Sequence, residues 1–161
     1  MNKFTLAAPF ALLALSISAQ AADPIQHQVT VVATVPTDSF YVVTPPGDNW
    51  TNDPQTLPWN HVREDFDSLS KQFDVKSTIG PISASLTSPA SIASGGNQIG
   101  LNVMVGGVQL SPGTPEVVVP AAAAAGGTRI EFRLAANTPS GGYVPGNYQG
   151  MVGMMFETAA P

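Results

Sequence analysis

The chain reads as a series of short apolar stretches that alternate with polar residues and are separated by glycine and proline. Residues 27–36, HQVTVVATVP, place Val29, Val31, Ala33 and Val35 on one side and Thr30 and Thr34 on the other, with Val32 the exception. A period of two is that of a half-buried strand. QIGLNVMV does the same with Ile99, Leu101, Val103 and Val105. TRIEFRLA is the cleanest case: Ile130, Phe132 and Leu134 alternate with Arg129, Glu131 and Arg133, so one face is buried and the other wet. PISASL supplies Ile82, Ala84 and Leu86, EVVV is a short apolar strand, and another is expected at 40–44. YQGMVGMMFE aligns Tyr148, Val152, Met154 and Phe156, with Gly150 between them. Glycine pairs at 95–96, 106–107, 126–127 and 141–142 mark turns. Many short strands between turn signals predict an all-β antiparallel sandwich.

Two segments depart from this pattern. The stretch 45–58 carries Pro45, Pro46, Pro54 and Pro58 and is expected to be mostly loop. In VREDFDSLSKQF, Val62, Phe66, Leu69 and Phe73 are spaced by four, three and four residues, which is helical spacing. Phe73 and Val75 then alternate. A loop or short helical turn leading into a strand near 71–79 is expected. The alanine run at 121–125 suits one helical turn, bounded by Pro120 and Gly126.

The first residues change the picture of where the chain works. Lys3, an apolar run over 4–17 and the small-x-small site Ala19-Gln20-Ala21 read as a secretory signal over 1–21. The apolar run is too short to span a membrane. The remainder, about 140 residues, suits one domain. It has no cysteine, so an exported fold must be held together without disulfides. Charged residues are 11% of the chain, against about a quarter in typical domains. Loss of Lys3 takes the net charge from −5 to about −6. Arg129 and Arg133 are the only basic residues after Lys76, which leaves no footprint for nucleic acid.

Candidate chemistry is sparse. His61 lies near Glu64 and Asp65, but their spacing matches no metal-ligand motif, and a solvated loop face is the simpler reading. His27 has no partner nearby in sequence. No nucleophile elbow, P-loop or dinucleotide fingerprint occurs, so no catalytic, cofactor-binding or metal residue is assigned. Asn49-Trp50-Thr51 fits a glycosylation sequon. Trp50 and Trp59 flank a Pro- and Asp-rich loop; they suit half-buried loop anchors, or alternatively a sugar-stacking surface.

The strand at 27–36 then poses a question of ownership. Leaving four such side chains in water forfeits on the order of 5–10 kcal/mol, at about 1.5–3 kcal/mol per large aliphatic group. Either it folds back into its own sandwich, or it completes a neighbour's sheet by strand donation. Two stretches bear on the choice. QVTVVATVP, following the signal, is similar to an opening pattern of aliphatic residue, Val, Ala and Val at alternate positions with a proline soon after. IEFRLAANTPSGGYVPGNYQGMVGMMFET resembles a closing pattern, in which an apolar strand ending in Ala-Ala leads through a Pro/Gly loop to GNY-x-G and a last hydrophobic strand. Together these resemble the major pilins of the coli-surface-antigen or colonization-factor type, the alpha or class 5 pilins of chaperone–usher fimbriae. The segment 37–95 matches that family weakly.

The resemblance implies an incomplete immunoglobulin-like sandwich, completed by a donor strand from the neighbouring subunit. It implies a donor segment at 22–36 and a pilin domain at 37–161. Ile25, Val29, Val31, Ala33 and Val35 would fill the neighbour's groove. Pro36 would end the donor strand, since it cannot donate to a ladder. Tyr148, Val152, Met154 and Phe156 would border the acceptor groove. The implied partners are copies of the chain, a periplasmic chaperone, an outer-membrane usher and a larger tip adhesin. The implied route runs through the periplasm to a surface fimbria that serves cell adhesion. A free-standing secreted sandwich that binds carbohydrate is the alternative, and a small periplasmic hydrolase is disfavoured by the missing motifs.

Overall fold

The computed structural model describes residues 39–158. The donor segment, with Ile25, Val29, Val31, Ala33 and Val35, lies outside the described residues. The elements in chain order are β1 (Phe40–Val43), β2 (Trp59–Asn60), β3 (Asp65–Phe66), β4 (Leu69–Ser77), β5 (Ile82–Leu86) and β6 (Ser91–Ser94). They continue with β7 (Asn97–Val105), β8 (Val108–Gln109), β9 (Glu116–Val119), α1 (Ala121–Gly126), β10 (Thr128–Ala136) and β11 (Met154–Thr158).

Alternation builds the central strands. In β7, Ile99, Leu101, Val103 and Val105 are all buried. In β10, Ile130, Phe132 and Leu134 are buried and Arg129, Glu131 and Arg133 are exposed. The outward face is wired across strands: Arg129 donates from Nε and a terminal nitrogen to the two carboxylate oxygens of Asp74, at 2.6 and 3.0 Å. Arg129 and Asp74 are direct partners in the β10–β4 register, so the pairing follows from the ladder.

The strands form two facing layers. One sheet runs β1-β4-β10-β7-β6, with β8 also paired to β7; the other runs β11-β5-β9. Their inward faces share one interior. Phe73 and Val75 of β4 and Val103 and Val105 of β7 meet Ile82, Ala84 and Leu86 of β5 and Val119 of β9. The order has a recognisable logic. In an immunoglobulin constant-type sandwich, strands A, B, E and D make one sheet and C, F and G the other. Taken along the chain, β1, β4, β5, β7, β10 and β11 occupy the places of A to F, giving β1-β4-β10-β7 and β5-β11. The fold is therefore an all-β sandwich of immunoglobulin type, as expected.

Several local expectations change. The helical spacing at 62–73 does not form a turn of helix. Its residues make the turn after β2, then β3, which pairs with β2 as a hairpin, and then β4, which begins at Leu69 and runs to Ser77, close to the strand expected near 71–79. Leu69 and Phe73 are four apart, a spacing that suits a strand face as well as a helix face. Lys71 sits between them at a half-buried inward position, which hid the alternation. Of the hairpin β6–β7, the strand β7 and the turn at Gly95-Gly96, with Gly95 at φ 58°, are as expected; β6 is the unexpected strand, because SIAS has little apolar content. Gly106 and Gly107 form the next hairpin turn with φ of 58° and 81°, as a mirror-image two-residue turn requires. The alanine run forms α1 as expected, with Ala124 fully buried.

Trp50 closes one end of the core. It is 6% exposed, stacks on Phe132 at 4.9 Å and packs against Phe73 at 4.8 Å. Its indole N–H donates to the carbonyl oxygen of Gln72 at 3.1 Å. Trp50→Ala is therefore expected to destabilise the domain by about 3–5 kcal/mol. Gly106→Ala is expected to cost more than about 1 kcal/mol, because a Cβ there meets the Val118 carbonyl oxygen at 2.7 Å and the φ is left-handed. Urea unfolding of the full chain, compared by midpoint at constant slope, checks both; an unchanged midpoint in either variant contradicts the corresponding packing.

Candidate functional site

The two sheets do not cover the interior equally. β5 lies inside its sheet, between β11 and β9, and its inward residues Ile82, Ala84 and Leu86 are no more than 3% exposed. β11 lies at the edge, and among the described residues no strand pairs with its other side. Its inward residues Met154, Phe156 and Thr158 are only half-buried, and Val152 extends the same half-covered face. Phe156 meets Phe73 at 5.5 Å, and the Thr158 hydroxyl is 2.7 Å from that of Ser77 and donates to the Pro81 carbonyl at 3.0 Å. β11 is thus seated over β4. The seventh strand of the immunoglobulin pattern belongs beside it.

The last strand is shorter than its sequence pattern. Tyr148 and Val152 share the parity of Met154 and Phe156, but β11 begins only at Met154. Upstream, Gln149 pairs with Ala93 of β6, exchanging backbone hydrogen bonds of 2.8 and 3.0 Å. The segment therefore leaves one sheet before entering the other. Gly150 and Gly153 permit the crossing: a side chain at Gly150 would meet the backbone of Ser91 and Ile92, and one at Gly153 would meet Thr87. Tyr148 is anchored separately, donating its hydroxyl to the Val144 carbonyl at 2.8 Å.

A second feature surrounds the β2–β3 hairpin. Trp59, Phe66 and Tyr143 pack edge to face, with centroids 5.0–5.2 Å apart. Trp59 keeps 37% of its surface exposed, unlike Trp50. The two tryptophans thus part company: Trp50 belongs to the core, and Trp59 to the surface. The Tyr143 hydroxyl donates to Asp65 Oδ1 at 2.5 Å and bridges the loop 137–148 to the hairpin. This bond, joined by the Phe66 N–H at 2.7 Å and the nearby Arg63 charge, holds the Asp65 carboxyl below the ordinary range despite some desolvation. Burial, and then the bond to Asp65, push the Tyr143 hydroxyl up. His61, Glu64 and Asp65 do not gather into a metal-binding group among the described residues.

The edge and the sandwich bear directly on kinship. A model of the CS1 type fimbrial major subunit family matches residues 25–157. The chain belongs to that family. The solved structure of the CooA pilin subunit from enterotoxigenic Escherichia coli shares its fold, with a TM-score of 0.62 over 75% of this chain and 88% of that one, at 16% identity. No curated protein sequence matches the chain. Family and fold are those of structural pilus subunits rather than enzymes, and the family's place is the surface fimbria.

The Asp65–Tyr143 bond generates a pH dependence with a definite sign. A carboxyl whose folded value lies below its unfolded 3.8 contributes stability above that pH and loses it as pH falls through the folded value. Acidification through this window is expected to loosen the loop from the hairpin. Tyr143→Phe is expected to return the Asp65 titration, followed by carboxyl NMR, towards 3.8. An unmoved Asp65 titration in that variant contradicts the role given to the bond.

Proposed function

We propose that the chain is the structural major subunit of an adhesive surface fimbria and polymerises by donor-strand exchange. The observation that carries this reading is the edge of β11, where a half-covered apolar face stands next to the place of the seventh immunoglobulin strand. In this reading residues 22–36 of one subunit lie beside β11 of the next. Ile25, Val29, Val31, Ala33 and Val35 cover Val152, Met154 and Phe156; Tyr148, which lies before the crossing and lines the cleft beside Trp59, is left out of that groove. An edge strand offers a row of backbone donors and acceptors, so the added strand gains a ladder as well as apolar cover. The family match begins at residue 25, and so includes the alternating pattern at 27–36, which supports assigning that pattern to a strand the family shares.

Export follows from the signal at 1–21. In the periplasm the exposed groove requires temporary cover, the part of a chaperone; an usher then exchanges that cover for the next subunit, and a larger adhesin caps the fibre. Catalysis has no part in this reading.

The register is tested by two substitutions one residue apart. Val31→Asp removes about 1.5–3 kcal/mol of apolar burial and places a charge in a dry groove at a further cost of several kcal/mol. It is expected to abolish surface polymer while the subunit still binds the chaperone, because its own groove is untouched. Thr30→Asp, turned away by the pleat, is expected to assemble far better. The measurement compares sheared surface polymer with periplasmic chaperone complex for each variant. Normal fibres from Val31→Asp, or equal damage from both, contradict the assignment.

A further inference from the structure

The β2–β3 hairpin carries surface that strand exchange does not use. Each of its strands is two residues long, too little to stand alone, and the contacts of Trp59 and Phe66 with Tyr143 hold it to the loop 137–148. Those contacts lock the Trp59 ring at 77° to Phe66 and 87° to Tyr143, while part of it stays open to solvent. An aromatic side chain with a fixed orientation and an exposed surface is already organised for binding.

Two clefts meet at this point. One, of about 340 Å³, is apolar and lies against Trp59, Tyr143, Val144, Pro145 and Tyr148. The other, of about 430 Å³, lies against Trp59, Tyr143, His61, Glu64 and Thr138. Trp59 and Tyr143 border both, so an apolar surface passes directly into one bearing an imidazole, a carboxylate and a hydroxyl. Volumes of this order stand at the low end of small-molecule sites, about 300–1,000 Å³. A pyranose ring has the same two-sided character, with C–H groups on its faces and hydroxyls around its edge. We propose that the paired clefts bind a neutral saccharide, its C–H face against the aromatic wall and its hydroxyls towards Glu64, Thr138 and His61.

Charge selects neutral over acidic sugars. Glu64 and Asp65 lie at the hairpin, the carboxyl of Asp65 is held ionised, and the chain carries a net charge of −5. Arg63, the basic residue of the hairpin, is engaged by Asp67. A sialylated or sulfated glycan meets like charge at the hairpin, whose Arg63 is already engaged.

The full chain, purified in the state in which it leaves the cell, is examined by saturation-transfer NMR from its aromatic protons to added sugar. The neutral probes are lactose, N-acetyllactosamine, chitobiose and methyl α-mannoside; sialyllactose is the acidic counterpart of lactose. At least one neutral probe is expected to saturate, with half-saturation near about 1 mM, and sialyllactose to bind about tenfold or more weaker than lactose. Trp59→Ala is expected to abolish transfer. Glu64→Gln leaves the aromatic wall intact and is expected to narrow the gap between lactose and sialyllactose. The proposal is overturned if no neutral probe saturates by about 50 mM, if sialyllactose equals lactose on the native chain, or if Trp59→Ala binds as before.

Discussion

Phe156 of β11 faces Phe73 of β4 across the interior at 5.5 Å, and the rest of the domain is arranged around that contact. It is where the narrow sheet meets the wide one. Two layers share one apolar interior, but one has the five-strand path β1-β4-β10-β7-β6 and the other only β11-β5-β9. Interior away from the edge is closed: Val75, Val105, Ile82 and Ala84 have no exposed surface. Interior at the β11 edge is closed only in part, because among the described residues no strand lies on the outer side of β11 to cover its inward side chains. β5 and β11 share a sheet and a register, and the inward residues of β5, flanked on both sides, are buried where those of β11 are half-covered.

With no cysteine, apolar burial and backbone ladders must hold this sandwich together. The aromatic residues do so in two separate groups. Trp50, Phe73 and Phe132 fill one end of the core, and Trp50 satisfies its one polar atom on the Gln72 carbonyl. Trp59, Phe66 and Tyr143 make a smaller cluster at the surface, fixed by the Tyr143–Asp65 bond. The first group stabilises; the second shapes a surface. The crossing of the C-terminal segment from Ala93 to β5 links the sheets by backbone, and glycine is required there because other backbone and the Thr87 hydroxyl occupy the space of a side chain.

In the proposed reading, membership of a fimbrial major subunit family gives the half-covered edge its meaning. A polymer subunit needs a surface that is unsatisfied alone and satisfied by a copy, and such a head-to-tail contact propagates without closing. An edge strand with a half-buried apolar face meets that requirement with no specialised chemistry, which accords with the scarcity of titratable clusters along the chain.

Strand identity was legible wherever alternation was strict, in β7, β10 and β5, because burial on one face imposes a period of two that the residues must display. The turns at Gly95-Gly96 and Gly106-Gly107 were legible too, because only glycine enters the left-handed region without strain. Other features depend on neighbours and left no local trace. Leu69 and Phe73 fitted helix and strand alike, and only pairing with β10 selected the strand. β6 is polar enough to pass for loop, and its strand exists because β7 supplies the ladder. Trp50 and Trp59 are the same residue type nine positions apart in one loop-rich segment, yet one is buried on Phe132 and the other half-open beside Tyr143. Phe132 and Tyr143 come from far along the chain, and a contact of that kind is set by how the sheets and loops close in space, which no local pattern encodes.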